Sequence, residues 1–386
     1  MNCSVKAYQD EFAKIFGVEH AFAFWKGRVA LYAILKAMEI GEGDEVILPG
    51  YSCVMDVNPI MYVGAKPIYV DIEPNLYNMN LDLLEEKINE RTKAIIALHT
   101  YGYPVEMDRL MEIANRKNIP VIEDCCLALG SEYKGKLVGT FGVASYFSFQ
   151  WNKPFTTGLG GMAITNDKQI ADNIKSLMEK ELIAVPAKRA AILALQLFVY
   201  RAFIYPRTTA LAQNIFRWLT KKGIVVGSSS VEELARPKMA EDFFMGISTV
   251  QARAGLRQLK KLEGNIAHRK KMARLYDELL AERGWRIPQV PDYMAPVLVR
   301  YPIRVADKWK AIEQAAGAGI ELGSWFEAPL HPRETKHELY HYHWGMCPQA
   351  ERAANEVVNL PLHPRTSEKT IRRTIEFIEQ FKPEAK

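Results

Sequence analysis

The chain has 386 residues, of which 48% are hydrophobic and 25% are charged, an ordinary globular composition that excludes a disordered or fibrous protein. Its 50 basic and 45 acidic residues give a net charge of +5, too weak to indicate nucleic-acid binding, and the length predicts two domains, or three. The five cysteines are odd in number and scattered, which favours a reducing compartment over a disulfide framework. We expect no secretory signal, because the first residues are charged and lack a long apolar region. We expect no membrane-spanning helix either, because no run reaches the ~18 apolar residues that a span needs.

Six short apolar or β-branched runs indicate buried strands in the first half of the chain. They begin at Glu45, Pro67, Lys93, Ile119, Val143 and Gly161. The first four lack polar alternation, which is typical of a parallel sheet covered on both faces. The stretches from Leu81 to Asn89 and from Met107 to Arg116 predict helices between them. The pattern predicts an α/β domain with a mostly parallel central sheet flanked by helices and ligands at the carboxyl ends of its strands.

The second half of the chain changes character. A long helical pattern runs from Thr249 to Arg283, a strand candidate follows at APVLVRYPIRV, and a final helix is predicted from Ser367 to Phe381. We therefore expect a large α/β domain over residues 1–245 and a smaller α+β domain over residues 246–386.

One segment, residues 182–231, contains no Asp or Glu but seven Lys or Arg residues. It also contains the apolar run AAILALQLFVY, which begins at Ala190, and we interpret it as a basic, apolar helical insertion. In one interpretation its helices pack on a dimer partner and the basic residues are solvated. In the other they lie on an anionic membrane surface, which attracts helices with an apolar face and basic flanks.

Three places could carry chemistry. Lys153 stands between a buried strand that ends near Ser148 and a glycine-rich turn. Desolvation makes such a lysine a nucleophile. The serine hydroxyl, together with backbone amides of the turn, could hold a phosphate. Asp124 ends a buried strand, where it either caps a turn or pairs with a protonated ring nitrogen, as in a pyridoxal phosphate site. Gly27 and Arg28 open an amphipathic helix whose N-terminus suits phosphate. The alternatives are a solvated lysine and an ordinary surface arginine.

Taken in order, the motifs of the chain resemble the DegT/DnrJ/EryC1/StrS family of sugar aminotransferases, which are pyridoxal phosphate enzymes of fold type I. The resemblance runs through KGRVAL, GDEVILPGYSC, GAKPIYVDI, HTYGYPVEMD, IEDCCLALGSEYKG, GTFG, SFQWNK, TTGLGGM and NLPLHP. These stretches span most of the chain.

The resemblance implies a role for each matching residue. Lys153 matches the lysine that forms the Schiff base with the cofactor and moves the proton, and Asp124 matches the carboxylate that keeps the pyridine nitrogen protonated. The implied phosphate ligands are Ser148 and the helix start formed by Gly27, Arg28 and Val29.

The chain also departs from the family pattern. Cys53 stands where an aromatic ring usually stacks on the cofactor, so either Tyr51 stacks instead or the ring is held less tightly. Leu127 replaces a Gln or His, and the Asn that usually crosses the dimer to the phosphate is missing before Gln251. We expect Arg28, in place of a threonine, to compensate with a charge-assisted bond of roughly 1.5–3 kcal/mol.

The resemblance implies a homodimeric, cytoplasmic aminotransferase that takes an amino group from glutamate or a similar donor. The acceptor would be a keto group on a sugar, which a nucleotide or a lipid could carry. Alternatives are a transaminase for a lipid-like ketone or aldehyde at the inner membrane surface, and a catalytically degenerate membrane-peripheral binding protein on the same fold. Candidates for the acceptor pocket wall are Trp325, Tyr340, His341 and His343.

Four other signals predict no site. HELYH, from His337, fits a zinc pattern, but loop-like sequence follows it where a third ligand should stand. GLGG at Gly158 lacks dinucleotide-binding spacing. We interpret His99 as a structural histidine, with a place at the pocket mouth as the alternative, and Cys125 and Cys126 as inert core thiols. No metal site is predicted.

Overall fold

The computed structural model describes residues 3–151, 153–201, 233 and 236–384. Within these residues, no helix combines the length and the apolar character that a membrane crossing requires. Most of the acid-free segment, residues 202–231, lies outside the described residues, so the prediction of an insertion at 182–231 can be followed only as far as residue 201.

The described strands are numbered β1 to β14 in chain order. They are β1 (His20–Phe24), β2 (Glu45–Pro49), β3 (Ser52–Cys53), β4 (Lys66–Val70), β5 (Thr92–Leu98), β6 (Val121–Asp124), β7 (Glu132–Tyr133), β8 (Lys136–Leu137), β9 (Ala144–Ser148), β10 (Gly161–Thr165), β11 (Met294–Ala295), β12 (Tyr301–Arg304), β13 (Leu330–His331) and β14 (Val357–Leu360). Seven of them form the central sheet, in the order β1-β10-β9-β6-β5-β2-β4.

The described α-helices are numbered α1 to α11. They are α1 (Cys3–Phe16), α2 (Gly27–Ala37), α3 (Val54–Tyr62), α4 (Met107–Lys117), α5 (Lys168–Glu181), α6 (Ala187–Val199), α7 (Thr249–Leu259), α8 (Leu262–Glu282), α9 (Lys308–Gly317), α10 (Pro348–Glu356) and α11 (Glu368–Ile378). The α/β fold with a mostly parallel central sheet is confirmed.

The central sheet has a parallel part and an antiparallel edge. Strands β4, β2, β5, β6 and β9 run parallel, whereas β10 pairs antiparallel with β9, and β1 pairs antiparallel with β10. All six predicted strands therefore exist. The reversed direction of β10 follows from its connection, since the chain turns back after β9 without a crossover helix long enough to restore the parallel direction.

One predicted helix is wrong. The stretch from Leu81 to Asn89 forms a single 3₁₀ turn, Glu85–Lys87, rather than an α-helix. Leu81 and Leu84 are both buried, and the chain between them and β5, which begins at Thr92, is made of turns. The long pattern from Thr249 also divides, into α7 and α8, at Lys260 and Lys261.

Three smaller sheets complete the described part of the chain. Strand β11 pairs with the β7–β8 hairpin, β12 pairs with β14, and β13 pairs in parallel with β3. The last pairing brings a segment near residue 330 to the carboxyl edge of the central sheet. The expected domain boundary between residues 245 and 246 stays a prediction.

Candidate active site

The predicted site residues lie at the carboxyl ends of β6 and β9 and at the start of α2. Asp124 ends β6 and Ser148 ends β9, while Gly27 begins α2. A Cβ atom on Gly27 would stand 2.7 Å from Cβ of Ser148, so only glycine allows the helix to approach the strand this closely. The helix N-terminus and the serine therefore share one corner of the site, as the predicted phosphate cradle requires.

Asp124 is buried and both of its carboxylate oxygens accept hydrogen bonds. The amide of Cys126 donates to Oδ1 over 2.8 Å, and the hydroxyl of Tyr146 donates to Oδ2 over 2.7 Å. Asp124 and Tyr146 are direct partners in the β6–β9 pairing. Tyr146 thus orients the carboxylate on a chain that carries Leu127 where the family has a polar side chain.

A second acid, Asp56 in the first turn of α3, lies beside this pair. Its Oδ1 is 3.3 Å from the Tyr146 hydroxyl, and its Oδ2 accepts the amide of Cys53 over 3.4 Å. The side chain is half-buried, because part of it faces the pocket. Burial, followed by the charge of Asp124, raises the pKa of Asp56 to about 8. Neither Asp56 nor Tyr146 was a sequence candidate.

Lys153 lies in the loop after β9, and its ammonium faces an aromatic wall. Its Nζ is 5.1 Å from the ring centroid of Trp325, which Arg300 also approaches at 5.9 Å. The positive charge of Lys153 lowers the pKa of Asp56, although burial outweighs it, so the lysine and both acids occupy one site. Of the predicted pocket-wall residues, Trp325 is adjacent to Lys153.

The other predicted wall residues differ in position. Tyr340 is buried, and the pKa of its phenol is raised by burial and then by nearby groups that include Cys53. His341 and His343 are exposed. Tyr340 therefore approaches the site, while the two histidines face solvent.

Two tyrosines, Tyr51 and Tyr101, contact the backbone and rings of Trp325 and Phe326. The Tyr101 hydroxyl donates to the carbonyl of Trp325 over 2.6 Å and accepts from the amide of Phe326 over 3.2 Å. The hydroxyl of Tyr51 is 2.9 Å from that of Tyr101, and its ring lies edge-on to Phe326 with the centroids 5.0 Å apart. Tyr51 is fully buried in this cluster. Its predicted stacking on the cofactor stays a prediction.

Cys53 lies between the site and the segment near residue 330. It is paired with His331 across β3 and β13, and burial raises the pKa of its thiol to about 12. The imidazole of His331 is neutral, since burial lowers its pKa to about 4. No sequence motif pointed to His331, because only the short β13 pairing brings it here.

At the phosphate corner, two cations share one carboxylate. Arg28 Nη1 is 3.3 Å from Oε1 of Glu233, Lys26 Nζ is 3.4 Å from Oε2, and Arg28 also contacts the sulfur of Met55. Burial, and then the charge of Arg28, lowers the pKa of Lys26 to about 8. The amide of Val29 donates to the carbonyl of Lys26 over 3.2 Å. Three of the side chains at this corner are charged and nearly buried.

The structure agrees with the interpretation of His99 as structural. His99, Glu123 and Cys125 have metal-ligand spacing within the described residues, but the side chains of His99 and Glu123 already make hydrogen bonds. Glu123 accepts the amides of Gly139, Phe141 and Gly142 and faces Nε2 of His99 at 3.2 Å, while Nδ1 of His99 accepts the amide of Val105. This cluster fastens the loop before β9 to β6.

The zinc pattern lies on a short turn, and the two thiols have raised pKa values. His337 opens a short 3₁₀ turn rather than an α-helix, so His337 and His341 are not displayed on one helical face. Burial raises the pKa of both Cys125 and Cys126 well above the ordinary value, which keeps them as unreactive thiols.

The donors and acceptors present suit pyridoxal phosphate. The site combines a primary amine (Lys153), a buried carboxylate fixed by two hydrogen bonds (Asp124), and a glycine-floored helix N-terminus beside Ser148. These groups match the aldehyde, the pyridine nitrogen and the phosphate of that cofactor.

Comparisons with known proteins agree with this assignment. The DegT/DnrJ/EryC1/StrS aminotransferase family model matches residues 3–189 and 214–379, which leaves 190–213 unmatched between them. GDP-perosamine synthase of Caulobacter vibrioides is 31% identical over 97% of this chain and 88% of that protein. GDP-perosamine synthase of Escherichia coli O157:H7 is 46% identical, but over only 44% of this chain and 46% of that protein.

The fold has close counterparts among solved structures. A DegT DnrJ EryC1 StrS aminotransferase from Brucella abortus superposes with a TM-score of 0.76 and 24% identity, covering 98% of this chain and 90% of that chain. The family model matches most of the chain, and one relative matches it over nearly its full length, which together establish the family. The chain belongs to the DegT/DnrJ/EryC1/StrS aminotransferase family and is a pyridoxal phosphate-dependent aminotransferase of fold type I.

Proposed function

We propose that this enzyme transfers an amino group from glutamate, or a similar amino acid, to the keto group of a nucleotide-linked sugar. The observation that carries the proposal is that Lys153 and the hydrogen-bonded Asp124 are both close enough to Asp56 to shift its pKa, at the carboxyl edge of the sheet. The full-length likeness to a GDP-perosamine synthase favours a nucleotide-linked acceptor over a free sugar.

Each residue has a distinct role in the proposal. Lys153 would hold the cofactor through its aldehyde, and its amine would accept and return the proton that moves during transfer. Asp124 would face the pyridine nitrogen of the cofactor, because its carboxylate is held in place by hydrogen bonds from Tyr146 and the Cys126 amide. Bound there, pyridoxal phosphate would supply the electron sink that this chemistry needs.

The phosphate would bind at the corner formed by Ser148 and the helix start of Gly27, Arg28 and Val29. Arg28 lies at the correct end of α2, but its guanidinium is already paired with Glu233. A phosphate would therefore either share Arg28 with that carboxylate or displace it. Cys53 and Tyr51 are proposed to bound the face of the ring.

The test is the visible absorption of the purified protein with pyridoxal phosphate, before and after glutamate, beside Lys153→Ala. We expect a cofactor band in the wild type that glutamate bleaches, and no such band in the variant. A wild type that is indistinguishable from Lys153→Ala would refute the transaminase proposal and favour a degenerate binding protein on the same fold.

The acceptor is tested separately, with the glutamate-treated enzyme. We expect nucleotide-linked keto sugars to restore the original band, since each turnover returns the cofactor to its starting form. Lipid-like ketones and aldehydes are the matched alternative. Restoration by these acceptors alone would overturn the nucleotide-sugar proposal while leaving the transaminase proposal intact.

A membrane-surface role is a second candidate, which the exposed side chains of α6 favour. Leu195 and Phe198 are each 64% exposed, whereas Leu193 and Leu197 on the same helix are buried. We propose that this face of a cytoplasmic homodimer lies on the anionic inner face of the membrane, where the exposed Lys188 would add to binding, whereas Arg189 is paired with Asp242. A dimer partner is the alternative cover for the same side chains.

Sedimentation with liposomes tests this role. We expect binding to anionic vesicles, little binding to zwitterionic ones, and a loss in the double variant Leu195→Ser, Phe198→Ser. Absence of binding by the wild type would refute the membrane role. A change of mass in solution for the double variant, without any liposome binding, would instead assign the face to the dimer.

A further inference from the structure

Two acids and one tyrosine hydroxyl meet at the carboxyl edge of the sheet, and only one of the acids, Asp124, has an assigned role. The Tyr146 hydroxyl oxygen is 2.7 Å from Oδ2 of Asp124 and 3.3 Å from Oδ1 of Asp56. The three groups come from different elements: β6, β9 and α3. Such a convergence of polar groups inside a pocket needs an account of where its protons lie.

The number of protons is constrained by the geometry. A tyrosine hydroxyl carries one proton but lies here between two carboxyl groups. Asp124 has the shorter contacts, 2.7 Å to the hydroxyl and 2.8 Å to the Cys126 amide, as an ionised carboxylate would. Asp56 has the longer ones, 3.3 Å and 3.4 Å. Two carboxyl groups this close in a buried site do not both ionise readily, so Asp56 is the one that keeps its proton.

We propose that Asp56, Tyr146 and Asp124 form a hydrogen-bonded chain in which a protonated Asp56 donates to the Tyr146 oxygen and Tyr146 donates to the Asp124 carboxylate. Asp56 is then a positioning residue. It commits the single Tyr146 proton to Asp124, and so fixes the carboxylate that faces the ring nitrogen. The inference rests on the proposed function, because the orientation of Asp124 matters to catalysis only if it holds that nitrogen.

The hydrogen-bonded chain accounts for Leu127, one of the departures from the family pattern. Leu127 is buried and apolar, so it cannot orient Asp124 as a Gln or His would. Tyr146, on β9, supplies a hydrogen bond to Asp124 instead, and Asp56, on α3, contacts the Tyr146 hydroxyl. The raised pKa of Asp56 agrees with this arrangement, since burial and the Asp124 charge both favour the protonated form.

Several titratable groups surround Asp56 and will shape its titration. They are Asp124 and Cys126 at the end of β6, Tyr146 on β9, Lys153 in the following loop, and Cys53 before α3. Of these, Lys153 is the only cation, and it favours ionised Asp56. The thiols and the tyrosine stay neutral across the range tested, because their pKa values are all raised.

Difference infrared spectroscopy of the cofactor-free protein tests the protonation directly. Wild type minus Asp56→Asn at about pH 6 should show the carbonyl stretch of a protonated carboxyl group, and the band should vanish at about pH 10, roughly two units above the pKa. In Tyr146→Phe the same band should shift to higher frequency, because the carboxyl proton loses its acceptor. If Asp56→Asn does not fold, the wild-type difference between the two pH values, compared with that of Tyr146→Phe, carries the same information.

Two spectral results would refute the proposed hydrogen-bonded chain. Absence of the protonated-carboxyl band at about pH 6 means that Asp56 is ionised. A band that Tyr146→Phe leaves unmoved means that Asp56 is protonated but does not donate to Tyr146.

Cofactor affinity supplies the functional arm. Asp56→Asn offers the same donor to Tyr146 and the same acceptor to the Cys53 amide, so it should bind pyridoxal phosphate within about threefold of the wild type. Asp56→Ala removes the donor and should bind about tenfold more weakly, the loss expected for one hydrogen bond. Equal affinities of the two variants would refute the positioning role. A wild type that binds no cofactor would refute the proposed function, while the infrared result would still decide the hydrogen-bonded chain.

Discussion

The substitution Glu123→Gln should destabilise this protein strongly, although it changes one buried oxygen to nitrogen without changing the shape of the side chain. Glu123 is fully buried, and four donors point at its carboxylate. Its Oε1 accepts the amides of Phe141 and Gly142 over 2.6 and 2.8 Å. Its Oε2 accepts the amide of Gly139 over 2.6 Å and faces Nε2 of His99 at 3.2 Å.

The magnitude follows from counting donors. Nδ1 of His99 accepts the Val105 amide over 3.0 Å, so the ring proton must sit on Nε2 and point at Glu123. A glutamine can satisfy two of the four donors with its oxygen, but its NH₂ group then faces the other two. Each buried donor without a partner costs about 1–3 kcal/mol, so the free energy of unfolding should fall by about 2–6 kcal/mol. That is a large part of the ~5–15 kcal/mol typical of a folded protein.

Equilibrium urea unfolding of the cofactor-free protein, followed by circular dichroism, measures the change. Glu86→Gln is the matched control, because Glu86 is exposed, and it should stay within about 0.5 kcal/mol of the wild type. A loss below about 1 kcal/mol for Glu123→Gln would refute the donor count, since at least two donors would then have found other partners.

Two further substitutions test other parts of the site region. Gly27→Ala should weaken pyridoxal phosphate binding and lower the free energy of unfolding by about 1–3 kcal/mol, because its Cβ would stand 2.7 Å from Cβ of Ser148. The control is Gly264→Ala, in a helix, where a Cβ would have nothing within 4 Å. In thermal unfolding this variant should be neutral or stabilising by up to about 1 kcal/mol. Lys308 donates to the carbonyls of Phe326 and Ala354, and burial lowers its pKa to about 7. Between about pH 7 and pH 10 the unfolded chain therefore binds more protons than the folded protein. The free energy of unfolding of the wild type should rise by up to about 5 kcal/mol across that window because of this group. Urea unfolding at the two pH values measures this rise, which Lys308→Met should abolish.

Much of the fold could be predicted from the sequence because its signals are local. The buried strands β2, β4, β5 and β6 are short apolar runs, and each of these runs is a strand of the central sheet. What the sequence could not show was direction and length. Strand β10 is as apolar as its neighbours but runs antiparallel, and the stretch after Leu81 has good helix formers but forms only a single 3₁₀ turn.

The site, like the fold, could be predicted from the sequence only in part. Lys153, Asp124, Ser148 and Gly27 stand at element ends in the sequence, and the structure brings these ends to one edge of the sheet. One missed residue, Tyr146, had a detectable signal. It stands two residues before Ser148 on one strand, so both side chains face the same side of the sheet.

Asp56 and His331 gave no comparable signal. Asp56 reaches the site because α3 begins directly after Cys53, and His331 does so through the two-residue pairing of β13 with β3. Both contacts join parts of the chain that are either too short or too distant for periodicity to reveal.

The departures from the family pattern are thus balanced locally at the two ends of the proposed cofactor site. At the nitrogen end, the polar side chain missing at Leu127 is replaced by Tyr146 and Asp56, which add hydrogen bonds and, with Asp56 protonated, no charge. At the phosphate end, the cations Lys26 and Arg28 are offset by Glu233, so the three groups keep one net positive charge for a phosphate.

The pKa of Lys26 at about 8 links this balance to pH, because the lysine loses its charge as pH rises through that value. Glu233 stands two residues beyond the acid-free segment 182–231. The carboxylate that would compete with a bound phosphate for Arg28 therefore lies next in sequence to the segment proposed to meet the membrane or the dimer partner.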